Sequence, residues 1–132
     1  MEFNLKVGMT AEVEKVVGEK DTAASFGSGS VLVFATPMMV GLMENAALNA
    51  VDSFLPEDYS TVGIHLDVKH MAATPVGMKV RSKAELIEVD GKKLKFKIEA
   101  YDEKDKIGEG YHSRYIINVP KFIEASNGKL QK

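Results

Sequence analysis

"ATPMMVGLMENAALNAV", residues 35–51, sets the problem that the rest of the chain has to solve. Thr36 is a good N-cap, and Pro37 is favoured at the first helical position, where its missing N–H costs nothing. The spacing predicts a helix that starts there and ends near Ser53 or Phe54, before the loop "LPEDYS". Met38, Met39, Val40, Leu42, Met43, Ala46, Ala47, Leu48, Ala50 and Val51 leave it almost no polar face, so it must be covered. Glu44 nevertheless stands in its middle. A carboxylate in apolar surroundings is costly unless it is paired, hydrogen-bonded or protonated.

The flanking sequence supplies the cover. Residues 9–17, "MTAEVEKVV", alternate as a strand does, and 22–26 reads as a short second strand. "GSGS" at 27–30 is a loop. After the helix the chain reads as β. In 62–71, Ile64, Leu66, Val68 and His70 share one face, with His65, Asp67 and Lys69 on the other. Strands over 78–89 and 93–102 flank an Asp-Gly hairpin at 90–92, and 107–119 is the last strand after the "EKDK" turn. From about residue 121 the tail is polar, fraying or forming a short helix. One strand, one long apolar helix and then an antiparallel meander predict an α+β domain of the hot-dog kind, a curved antiparallel sheet wrapped round a central helix. The whole chain, 1–132, is read as one such domain. A single curled sheet leaves an edge uncovered, so a homodimer is expected, with a dimer of dimers as a further assembly.

Composition narrows the function. Of the 132 residues 45% are hydrophobic and 27% charged, and the net charge of −2 is spread without a basic stripe. That argues against a nucleic-acid partner or a polybasic membrane contact. The absence of cysteine rules out disulfides, thiolate metal sites and a cysteine nucleophile, and fits a reducing cytoplasm. The start "MEFNLKVGMT" does not read as a signal peptide, and no apolar run reaches the ~18 residues of a membrane span. The expected location is cytoplasmic.

Three residues carry candidate chemistry, each with a plainer explanation. Glu44 is either a satisfied buried carboxylate or a base or nucleophile in a dry pocket. His70 lies on an apolar strand face, where a histidine is more often structural; beside Glu44 it gains weight, since histidine and carboxylate commonly move protons together. Thr36 needs no role beyond its cap, yet a helix N-terminus also offers free N–H groups to an oxyanion. Thr36 and Glu44 are separated by about 12 Å of helix rise and lie within ~80° around the axis. They cannot touch directly. His65 reads as a surface residue, and the pattern leaves His112 without a role. His65, Asp67 and His70 do not make a metal site, because His65 and His70 point to opposite faces. "GSGS" lacks a phosphate-binding spacing, and there is no G-x-S-x-G elbow.

"FATPMMVGLMENA" (34–46), "GIHLDVKHMAATPVGMKV" (63–80) and "KIGEGYHSRYII" (106–117) resemble the fluoroacetyl-CoA thioesterase family and its hot-dog relatives. The likeness runs over roughly residues 7–122. Thr36, Glu44 eight residues on and His70 twenty-six beyond meet the family's catalytic spacing. Gly63 and Arg114 fall where the family contacts the substrate thioester and CoA. The resemblance implies hydrolysis of an acyl-CoA by a hot-dog dimer without metal or prosthetic group. It places the thioester carbonyl near the Gly63 N–H and the helix start, with Glu44 attacking it or activating water. His70 shuttles the proton, and Thr36 orients Glu44, the water or the carbonyl.

The stretch "AASFGSGSVLVF" departs from the Phe-containing lid of the specialised fluoroacetyl enzymes, and Asn45 suggests a wetter pocket. A broader short- or medium-chain acyl-CoA is therefore the expected substrate. Two other functions stand against it. One is a hot-dog module that binds acyl-CoA without cleaving it. The other is an enoyl-CoA hydratase or dehydratase, whose Asp/His pair near the helix start has no counterpart here, Glu44 being the only acid in the helix before Asp52.

Overall fold

A computed structural model describes residues 3–131. Five strands form one antiparallel sheet: β1 (Thr10–Val16), β2 (Tyr59–His70), β3 (Lys79–Asp90), β4 (Lys93–Tyr101) and β5 (Lys106–Asn118). Their order across the sheet is β1-β3-β4-β5-β2. The expected meander therefore holds for β3, β4 and β5 only. β2 crosses to pair with β5 at one edge, and β1 pairs with β3 at the other. The β3–β4 turn has Gly91 at φ +60°, the left-handed backbone that the Asp-Gly pair foretells.

The long helix α2 (Thr36–Val51) lies on this sheet, after a single-turn helix α1 (Ala23–Phe26). The short strand expected at 22–26 is thus a helical turn. Thr22 caps it by accepting from the Ser25 N–H, and Gly27 ends it at φ +91°. Met39, Met43, Ala46, Ala47, Ala50 and Val51 form the buried stripe of α2. Its opposite side is less apolar than the composition suggests, since Gly41, Asn45 and Asn49 form an exposed row one turn apart.

Facing the buried stripe are Val80, Ala84, Leu86, Leu94, Phe96, Ile98, Ile107 and Ile116. Full burial of each of the larger side chains favours folding by roughly 1.5–3 kcal/mol. The helix can approach β5 because Gly108 has no side chain. A Cβ there would fall 2.6 Å from the Met39 sulfur. After β5 the chain turns into α3 (Val119–Asn127), capped by Asn118, so the polar tail is helical rather than frayed.

The two sheet edges differ. β1 is lined by charge, with Glu12 paired to Arg81 and Glu14 to Lys79. β2 exposes Ile64 and Leu66 on a strand of 12 residues. β2 also carries a bulge between Gly63 and His65. The bulge shifts the alternation, so Thr61 and Gly63 join Leu66, Val68 and His70 opposite the inward residues of β5. Ile64 is the extra residue and leaves the face that strict alternation assigns it.

Candidate active site

Four of the five residues singled out in the sequence line two clefts, and the fifth, Arg114, is buried behind the second. The first lies at the start of α2, about 420 Å³ in volume, and is lined by Ala23, Val31, Phe34, Thr36, His70 and Ala72 among others. Here the Thr36 hydroxyl oxygen is 2.7 Å from His70 Nδ1. Thr36 is not the helix cap. Ala35 occupies that position and Thr36 is the first helical residue, so its hydroxyl is free to meet the imidazole. His70 Nε2 is buried and has no protein partner, and it is the only such side-chain atom among the described residues. Burial holds the His70 pKa below the usual histidine value, opposed in part by the nearby Ala72 backbone. Burial thus favours the neutral form of the ring.

The second cleft, about 210 Å³, is two turns further along α2 and is lined by Glu44, Gly63, Ile64, His65, Leu66 and His112. Glu44 retains 39% side-chain exposure, with its Oε2 4.0 Å from Arg114 Nη1. That pair is close enough to feel the opposite charge and too long for a direct hydrogen bond. Arg114 is buried, and burial lowers its pKa while the Glu44 and Asp52 carboxylates oppose that shift. It remains a cation. Gly63 sits under the group: a Cβ there would lie 3.0 Å from His112 Cε1 and 3.1 Å from Glu44 Oε2.

Glu44 is therefore neither stranded in the core nor fully solvated. It stands at the mouth of a cleft with a buried arginine behind it. Within one chain it is not joined to Thr36 and His70, and Gly63 accompanies Glu44 rather than the helix start. His65 is exposed, as its strand position suggests, and its backbone carbonyl serves the site by accepting from His112. His112 is the residue that sequence reasoning missed. Its position directly across from Leu66 depends on the β2 bulge, which no alternation pattern reveals. Among the described residues no group of three or more His, Asp or Glu side chains is arranged to hold a metal ion.

One helix cradled by a five-stranded antiparallel sheet, with polar clefts along the helix beside an edge strand, is the hot-dog architecture of thioesterases. A hot-dog-like protein from Thermanaerovibrio acidaminovorans shares the fold at a TM-score of 0.87 and 20% identity, covering 97% of this chain and 95% of that one. The chain belongs to the fluoroacetyl-CoA-specific thioesterase family, whose profile matches residues 17–120. The fluoroacetyl-CoA thioesterase of Streptantibioticus cattleyicolor is 43% identical over 90 residues, 68% of this chain; the matched stretch spans 65% of that relative's length. A structure of the fluoroacetyl-CoA thioesterase FlK, as a threonine-to-serine variant bound to acetyl-CoA, aligns at a TM-score of 0.90 and 34% identity over 95% of this chain and 98% of that one. A Thermus thermophilus protein of the thioesterase superfamily aligns at 0.86 and 32%, covering 96% and 93%.

Proposed function

We propose that the protein is an acyl-CoA thioesterase, hydrolysing a short- or medium-chain acyl-CoA to the free acid and CoA with Thr36, Glu44 and His70. The observation that carries this reading is the Thr36–His70 contact of 2.7 Å, beside an imidazole Nε2 that is buried and unpartnered. A core histidine with only a structural role has both nitrogens satisfied. Family membership supports the reaction class, and the acetyl-CoA held by a relative supports the substrate class.

In this mechanism Glu44 either attacks the thioester carbonyl carbon, displacing CoA to leave an acyl anhydride that water then hydrolyses, or deprotonates a water that makes the attack itself. His70 takes up the proton that the water gives up and passes it to the departing CoA thiolate, ending neutral as it began, and the Thr36 hydroxyl fixes the ring that does so. Gly63 leaves room for the thioester beside Glu44, and Arg114 places positive charge at that end of the site. The reaction consumes one water and needs no prosthetic group.

The protein acts as a cytoplasmic homodimer in this reading. The absence of cysteine fits a reducing compartment, and among the described residues no helix is long and apolar enough to cross a membrane. Dimerisation has a structural motive: β2 is a long edge with exposed Ile64 and Leu66, whereas β1 is guarded by charge. Antiparallel pairing of two copies about the middle of β2 brings the Gly63 end of each toward the His70 end of the other. That arrangement joins one copy's Glu44 cleft to the partner's Thr36–His70 cleft, which a single chain holds two helical turns apart.

The test is thiol release from acetyl- through palmitoyl-CoA, with fluoroacetyl- and phenylacetyl-CoA, by wild type beside Glu44→Gln. Turnover of one acyl class, lost in the folded variant, is expected. No cleavage by wild type, with equal binding of CoA esters by both proteins, would make the domain a binder.

A further inference from the structure

Both ring nitrogens of His112 are committed, and their partners fix the tautomer. Nδ1 lies 2.8 Å from the His65 carbonyl oxygen, which can only accept, so Nδ1 carries the proton. Nε2 lies 3.1 Å from Arg114 Nη1, which can only donate, so Nε2 is the bare nitrogen. Arg114 is held from its other side as well. Its Nε donates to the Thr61 hydroxyl at 2.7 Å, and its Nη2 donates to the Thr61 carbonyl at 2.8 Å. Nη1 is the guanidinium nitrogen that faces Glu44, and His112 is what holds it there. Arg114 and His112 are 6% and 1% exposed, so solvent cannot easily stand in for either bond.

From this geometry we infer that His112 is a positioning residue: its bare Nε2 locks Arg114 Nη1 in place, and Arg114 in turn sets the direction in which Glu44 presents its carboxylate. The inference rests on the reading of Glu44 as the working carboxylate. It also explains the glycine at 63. Only a residue without a Cβ lets the imidazole edge and the carboxylate meet above the same backbone position.

The experiment compares steady-state acyl-CoA hydrolysis by His112→Asn, His112→Gln, Thr61→Val and Glu44→Gln, each checked for its thermal midpoint. His112→Asn keeps a donor for the His65 carbonyl and loses the acceptor for Arg114. It should lower kcat about 10- to 100-fold, as misplacing a reacting group by an ångström does, with KM within about twofold. His112→Gln, whose amide oxygen can take the place of Nε2, should retain most of kcat. Thr61→Val removes the hydroxyl that accepts from Arg114 Nε while the Thr61 carbonyl still holds Nη2, and should lower kcat by less. Adding His112→Asn to Arg114→Met should cost nothing more, because residues acting through one another are not additive. Wild-type kcat in His112→Asn with Glu44→Gln inactive would overturn the role of His112 and leave that of Glu44. Equal losses in the Asn and Gln variants, or multiplied losses in the double variant, would overturn it too. Full activity of Glu44→Gln would overturn both readings.

Discussion

Two histidines face the same helix from the edge half of the sheet, and they are bound in opposite ways. His112 has a donor bond, an acceptor bond and a fixed tautomer. His70 has one nitrogen against a hydroxyl and the other buried with no protein partner. A fully satisfied histidine resists change of protonation, because gaining a proton would break the contact with Arg114. The half-satisfied one has a nitrogen without a protein partner and a neighbour that tolerates either tautomer. Under the proposed function the difference matches support at the Glu44 cleft and proton transfer at the Thr36–His70 cleft. Burial alone does not separate the two: the more buried ring is the one with both nitrogens bonded.

The strongest way to break this division is to damage each cleft separately. Glu44→Gln and His70→Ala should each cut thiol release at least ~100-fold, the scale of losing a general acid or base. If the clefts meet across a dimer, mixed and re-assembled variants should recover about a quarter of wild-type activity, since half the dimers carry one intact pair. No recovery in verified heterodimers would return the whole site to one chain.

A smaller effect is expected from Gly63→Ala. The added Cβ presses on His112 and on Glu44, so a loss of roughly tenfold in kcat is expected, measured with the same thioester panel. An unchanged rate would mean that the two groups yield without consequence.

Thr36 sharpens the comparison at its other end. As an N-cap, its replacement by Ala would cost about 1 kcal/mol of stability. As the partner of His70 it should lose activity several-fold while the denaturation midpoint hardly moves, and Thr36→Ser should restore the rate. A large stability loss with normal activity would return Thr36 to a structural role.

The smallest effect is on stability with pH. Burial holds both histidines below their ordinary pKa of 6.5, so the unfolded chain binds more protons than the folded one as pH falls through that value. Stability should be level above that pH and decline below it, until the folded-state pKa values are passed. His70→Phe and His112→Phe should each flatten part of that decline in chemical denaturation curves.

Much of this was legible in the chain. The alternation of 93–102 and the Asp-Gly turn at 90–91 mark the β3–β4 hairpin, because local backbone preference and side-chain burial agree there. Thr22 and Gly27 also carried a readable cap and stop, although apolar content suggested a strand. Thr36, Glu44 and His70 were visible through their spacing and residue type.

What local pattern could not contain was pairing. Alternation says that a segment is a strand but not which strand it meets, so the placement of β2 at the far edge comes only from its ladder with β5. The bulge after Gly63 is a defect in one strand's register, invisible until the partner strand is present. It brings Gly63 under Glu44 and sets His112 behind it. The sequence by itself determined the buried helix and the five long strands, which follow from composition and period, and it offered the candidate residues through residue type and family resemblance. Only tertiary structure decided which of those residues share a cleft, because separate segments had to meet to form each one.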